Sequence, residues 1–248
     1  MTDRPVAIVT AAGSGIGAAC ARELAARNYE LVLMSRSDGA VKLAAELGGK
    51  GIEGSVLEGA DLERLVAVAL DAHGRIDAVV NNTGHAPHSS EARGREHSAD
   101  AEAHLLDIPD EDWHLTLDLY FLNVVRMARL VTEPMRRGGG GAIVNISAFA
   151  ASEPHTAIPT SSTIRAALMG FTKLYADRYG ADNIRMNDVL PGFLDNYSWP
   201  ESLIRSIPMA RAGALDEVAR TVAFLLSADA GYITGQSILA DGGMNRAI

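Results

Sequence analysis

The sequence has a single cysteine, a deficit of positive charge and no long apolar run, and each shortage closes off a class of function. Cys20 stands alone among 248 residues, so no disulfide can form within the chain and a reducing, cytoplasmic setting is expected. Lysine and arginine number 22 against 31 aspartates and glutamates, a formal net charge of −9. That balance repels phosphate backbones and anionic lipid, so neither nucleic acid nor a membrane is an expected partner, and any anion site must be local. No apolar stretch approaches the ~18 residues that span a bilayer, and Met1-Thr2-Asp3-Arg4-Pro5 carries no secretory signal pattern. Linkers and internal repeats are absent as well, so one domain over residues 1–248 is expected.

Hydrophobic residues make up 48% of the chain and charged residues 21%, enough to bury a sizeable core. The most informative stretch comes early. Val6-Ala7-Ile8-Val9-Thr10 reads as a strand, Ala11-Ala12-Gly13-Ser14-Gly15-Ile16-Gly17 as a tight turn, and Ala18 to Asn28 as a helix. Unpaired N–H groups at such a helix start carry partial positive charge, and glycines let the backbone approach a pyrophosphate closely. Further strand patterns lie at Glu30 to Met34, Ala78 to Val80, Ala142 to Ile146, Ile184 to Leu190 and Ser237 to Leu239. Helical patterns lie between most of them, including Trp113 to Arg137 and Ser161 to Tyr179. Apolar strands alternating with helices predict an α/β, doubly wound parallel sheet covered on both faces.

Two segments break the rhythm. Residues 85–107 form a polar inserted loop holding His85, His88, His97 and His104; no standard ligand spacing relates them, so no metal is expected. Residues 195–208 carry Tyr197, Trp199 and Pro200 and are placed to close over a ligand or simply to pack.

These residues resemble the short-chain dehydrogenase/reductase family over nearly the whole chain. Thr10 to Gly17 is similar to its Thr-Gly-x-x-x-Gly-Ile-Gly turn, Asn81-Asn82-Thr83-Gly84 to its Asn-Asn-Ala-Gly, and Pro191-Gly192 to its Pro-Gly after the sixth strand. Tyr232-Ile233-Thr234-Gly235-Gln236 with Asp241-Gly242-Gly243 resembles its carboxyl-terminal signature. The resemblance implies a Rossmann-type fold, a homotetramer or dimer built on the helices Trp113 to Arg137 and Ser161 to Tyr179, a small-molecule substrate and a nicotinamide cofactor. Thr10, Gly13, Ser14, Gly15, Ile16, Gly17, Arg36, Ser55, Val56, Asn82, Gly84, Arg165, Pro191 and Gly192 would bind that cofactor. Arg36 follows Ser35 where an acid would select NAD; a guanidinium suits a ribose phosphate, so NADP(H) is preferred over NAD(H), with Asp38 as an objection. Ala11 replaces the family's first glycine and is tolerable if the turn keeps φ negative or moves its strain to Gly13. Ser55 replaces an aspartate beside the adenine.

The family's Asn-Ser-Tyr-Lys tetrad falls on Tyr120, Ala148, Ser161 and Arg165, so all four identities differ. An alkyl hydroxyl at Ser161 is a far weaker acid than a phenol, and Arg165 supplies charge without releasing a proton. Tyr120 brings a phenol to the helix bordering the site, although it also reads as a core aromatic; Asn123, on the same helical face, is a candidate for the amide role. Ser147 faces away unless the strand end bulges. His155 and His85 are candidate acids or bases if they point inward rather than into solvent. Three readings stay open: an NADP(H)-dependent oxidoreductase of a small carbonyl, alcohol or imine with a non-standard proton-transfer set; a catalytically silent binding or partner subunit; and a lyase or isomerase on the same scaffold.

Overall fold

The computed structural model describes residues 4–83, 105–156 and 158–246. In chain order its elements are β1 (Val6–Val9), α1 (Gly15–Ala26), β2 (Glu30–Ser35), α2 (Gly39–Leu47), β3 (Lys50–Glu53), α3 (Gly59–His73) and β4 (Ala78–Asn81). Then follow α4 (Asp110–Leu117), α5 (Asn123–Arg137), β5 (Gly141–Ile146), α6 (Pro159–Tyr179), β6 (Ile184–Pro191), α7 (Glu201–Ser206), α8 (Leu215–Leu226) and β7 (Ser237–Ala240). The strands form one parallel sheet in the order β3-β2-β1-β4-β5-β6-β7. This is the Rossmann-type doubly wound arrangement that the strand and helix patterns predict.

Every residue of β1 and β4 is buried, because helices cover both faces of a parallel sheet. Cys20 and Leu24 of α1, Leu43 of α2 and Val218 and Val222 of α8 pack on one face. Leu62 and Leu65 of α3, Met127 and Val131 of α5 and Tyr175 of α6 pack on the other. Burial and the nearby Glu23 carboxylate push the Cys20 thiol up to about 12, so it serves as a small apolar filler. Strand β3 was not legible as an apolar run: Lys-Gly-Ile-Glu sits at the sheet edge, half exposed, and owes its shape to pairing with β2. No described helix is long and apolar enough to cross a membrane.

Two features bear on the site. The helix expected over Trp113 to Arg137 is present, but a π-helical turn, Asp118–Leu122, joins α4 to α5. Such a turn inserts a surplus residue and leaves a carbonyl without its regular partner. The Asn123 side-chain amide donates to the Leu119 carbonyl. Asn123, a candidate for the amide role by its spacing, thus props the turn.

The second feature is a row of polar side chains across four strands, in which Asn81, Asn145, Asp188 and Ser237 stand in direct register. Asn81 Nδ2 donates to Asn145 Oδ1 at 2.9 Å; Asn145 Nδ2 and the Thr172 hydroxyl donate to Asp188 Oδ1 at 2.9 and 2.7 Å; the Ser237 hydroxyl donates to Asp188 Oδ2 at 3.0 Å. Slipping any strand by one residue would turn a polar group into the opposite apolar layer, so the row fixes register. Burial outweighs the three donors and raises the Asp188 carboxyl from 3.8 to about 6. Below pH 4 the group is protonated both folded and unfolded. Between 4 and 6 only the folded form keeps its proton, so stability falls as pH rises, and above 6 the full penalty applies, about 3 kcal/mol. Asp188→Asn keeps the acceptor and lets the Ser237 hydroxyl turn to accept. Urea unfolding at pH 4, 5, 6 and 7 should show the variant gaining about 3 kcal/mol on the parent between the extremes; parallel curves would refute the penalty.

Candidate active site

The strand order reverses between β1 and β4, and a cleft of about 1980 Å³ opens at the carboxyl ends of these strands. Binding pockets for one small ligand span roughly 300–1,000 Å³, so this one has room for a large ligand beside a second, smaller one. Gly13, Ser14, Gly15 and Ile16 form part of its wall, with the start of α1 behind them.

The turn is tight. A Cβ at Gly17 would stand 2.4 Å from the Ala11 carbonyl oxygen and 2.7 Å from Asn82 Nδ2, so only glycine lets the helix approach the strand end. Ala11 adopts φ 47, against the expectation that φ stays negative or that Gly13 takes the strain. The left-handed conformation of a residue with a Cβ costs about 1–2 kcal/mol, and this chain carries that cost where a glycine would not. Thr10 and Gly17 lie outside the cleft wall. The Thr10 hydroxyl donates to the Asn82 carbonyl at 2.7 Å and accepts from the Asn82 N–H at 2.9 Å, so it ties β1 to β4 instead of reaching a ligand.

Arg36 is exposed and lines the cleft with Ser35 and Ser37. Asp38, the objection to a bound phosphate, is paired with Lys42 at 2.6 Å. Ser55 and Val56 lie on the same side; the Ser55 N–H donates to Asp61 at 2.8 Å. Asn82, Pro191 and Gly192 complete this half. Gly84, His85, His88, His97 and His104 lie outside the described residues, as does most of the inserted loop; Leu105 and Asp107 at its end reach the wall.

The other half gathers Tyr120, Ala148, Ser161 and Arg165, on which the family's tetrad is expected to fall. Arg165, on α6, donates from Nε to the Ser161 hydroxyl at 3.1 Å, one helical turn back, and from Nη1 to the Ile146 carbonyl at 3.0 Å. Its guanidinium lies over the Tyr120 ring, 3.9 Å from the centroid. Tyr120 is 4% exposed yet borders the cleft, presented by the π-turn. Ser147, the residue after β5, is among those along the cleft, as are its neighbours Ile146 and Ala148, and its N–H bonds the Val189 carbonyl at 2.8 Å. Its hydroxyl is buried and finds no hydrogen-bond partner among the described residues. His155 stands exposed at the rim.

Phe149, Phe193 and Leu194 are not singled out by the motifs, although Phe149 directly follows Ala148 and Phe193-Leu194 directly follow Pro191-Gly192. They join Tyr197 and Trp199 in the far wall. The segment bearing Trp199 is pinned at its base by a bridge between Leu194 and Gly213, with Asp195 and Gly213 N–H groups bonding the carbonyls of Gly213 and Phe193 at 2.9 Å.

A crevice at the reversal of strand order is where doubly wound folds hold nucleotides, which sets the class of protein. A family model described as enoyl-(acyl carrier protein) reductase matches residues 10–245. The rabbit (Oryctolagus cuniculus) dehydrogenase/reductase SDR family member 4 is 33% identical over 253 residues, covering 96% of this chain and 92% of that protein. An acetoin dehydrogenase from Salmonella typhimurium shares 31% identity with a TM-score of 0.83 and 98% coverage of both chains. L-sorbose reductase from Gluconobacter frateurii, solved with NADPH and L-sorbose, shares 27% identity with a TM-score of 0.85, covering 99% of this chain and 98% of that one. The chain belongs to the short-chain dehydrogenase/reductase family of oxidoreductases.

Proposed function

We propose that the protein is an NADP(H)-dependent oxidoreductase of a small carbonyl, alcohol or imine, with a proton-transfer set rebuilt on Tyr120, Arg165 and Ser161. The observation that carries this reading is the Arg165 guanidinium over the Tyr120 ring and hydrogen-bonded to Ser161. The fit to a dinucleotide rests on the closeness of Gly17 to Ala11, which brings the start of α1 against the strand end beside the cleft. Gly13, Ser14, Gly15 and Ile16 would hold the pyrophosphate, Ser55 and Val56 the adenine side, Arg36 the ribose phosphate, and Asn82, Pro191, Gly192 and Arg165 the nicotinamide end. NADPH held there would supply hydride to the carbonyl carbon. Tyr120 would give its phenolic proton to the carbonyl oxygen as the C=O π electrons move there, and regain a proton from solvent. Arg165 offsets the negative charge that gathers on the ring and the oxygen, and Ser161 fixes the guanidinium while offering a hydroxyl to the substrate. His155 at the rim would relay protons between the cleft and water.

The reading includes a cytoplasmic homodimer or tetramer, supported by apolar side chains left exposed on α6 and α8, Leu174 and Phe224. Calorimetric titration tests the cofactor directly. NADPH should bind at least tenfold tighter than NADH, and Arg36→Ala should remove most of that margin, since a hydrogen bond to a charged group is worth about 1.5–3 kcal/mol. Deuterium-labelled NADPH should pass its label to a carbonyl substrate. Absence of affinity for either dinucleotide would end the proposal.

A further inference from the structure

The cleft wall away from the glycine turn is built of rings. Phe149 and Phe193 have centroids 5.3 Å apart, tilted by 46°; Phe193 and Trp199 meet edge to face at 4.7 Å and 67°; Tyr197 and Trp199 do so at 5.7 Å and 61°. The indole is held in place, because Nε1 donates to the Leu194 carbonyl at 2.7 Å. Four of the chain's thirteen aromatic residues stand in this wall, and Ile158, Leu194 and Leu203 also line the cleft. On this side Arg165 is the cation and Asp107 the carboxylate among the described lining residues.

Phe149, Phe193 and Trp199 are only partly buried. An aliphatic wall would receive any apolar group by area alone. A row of rings meeting edge to face leaves electron-rich faces and positive edges at the cleft surface, and these favour another flat ring over a saturated one of the same size. A polyol or a short aliphatic ketone would leave the wall uncovered.

We propose that the substrate is an aryl ketone or aldehyde, its ring docked against Phe193 and Trp199 and its carbonyl turned toward Arg165. The carbonyl half of this rests on the proposed redox reading; the ring site rests on the wall alone. With acetophenone as the aryl probe and cyclohexyl methyl ketone as its saturated counterpart, calorimetry on the full-length protein should give acetophenone roughly tenfold tighter binding, with or without NADP⁺. Trp199→Leu and Phe193→Leu should each bring the ratio below threefold and leave NADPH affinity unchanged. Trp199→Phe keeps a ring and should preserve most of the ratio, which separates loss of the site from loss of folding. Trp113→Phe, leaving Trp199 as the one tryptophan, should retain the ratio and show quenching of indole fluorescence by acetophenone. A ratio below twofold in the unmodified protein, or one indifferent to position 199, overturns the ring site. Tight, Trp199-dependent binding of acetophenone without label transfer from NADPH would keep the ring site and defeat the redox reading. Equal reduction of both ketones would do the reverse.

Discussion

Tyr120→Phe should lower kcat for carbonyl reduction by about 10²–10⁴-fold, the usual contribution of a positioned general acid, and leave NADPH affinity within twofold. The split between kcat and binding is the informative part. Phenylalanine keeps the ring under the guanidinium and keeps the packing of a side chain that is 4% exposed; only the hydroxyl goes. If Tyr120 were no more than a core aromatic, kcat would hold and a denaturation midpoint would be the only quantity to move. The π-turn makes the first outcome the expected one. A regular helix running from α4 into α5 would not carry the wide turn that presents this ring beside Arg165, and wide turns of that kind recur at functional sites. Steady-state kinetics with calorimetric titration of NADPH on the same preparation measure both quantities.

Gly17→Val should have the larger structural effect. Its Cβ would fall 2.4 Å from a backbone oxygen and 2.7 Å from the Asn82 amide, and the oxygen cannot move without moving the strand-to-helix turn. Stability should drop by about 3 kcal/mol or more, and NADPH binding should fall below detection, because the displaced turn is the one that would hold the pyrophosphate. Gly15→Ala is the informative contrast. That position has φ 54 but no protein atom near its Cβ position, so the expected loss of stability is about 1–2 kcal/mol. Equal losses at both positions would show that backbone conformation, rather than close approach, governs the turn. Denaturant unfolding and NADPH fluorescence distinguish the cases.

Much of the scaffold could be read from residue types because the physics is local. Apolar runs such as Val6-Ala7-Ile8-Val9 have one way to be satisfied, between two layers, and Gly13 to Gly17 admits few turns. Strand β3 could not be read, since Lys50 to Glu53 takes its shape from a neighbour. The site was legible in position more than in orientation. Arg165 and Ser161, four apart on a helix, were certain to meet; that the guanidinium would lie over Tyr120 depended on a π-turn that no periodicity announces. Alternation along a strand points Ser147 away from the cleft, and its hydroxyl is buried. Asn123, three residues from Tyr120, is buried, and its amide answers the carbonyl of Leu119. The row of Asn81, Asn145, Asp188 and Ser237 needed the register of four strands before it existed as a feature.

The bridge between Leu194 and Gly213 closes the intervening segment at its neck. Chain growth or shortening between two such fixed points alters closure entropy by only about 0.6 kcal/mol per doubling of length; Ile207 is buried and the Met209 N–H bonds the Gly242 carbonyl, so the part open to change is the stretch from Asp195 to Ser206. The ring-bearing excursion is therefore an exchangeable cartridge: descendants of this sequence can trade one molecular appetite for another there while Arg165, Ser161 and Tyr120, seated on helices outside the neck, stay as they are.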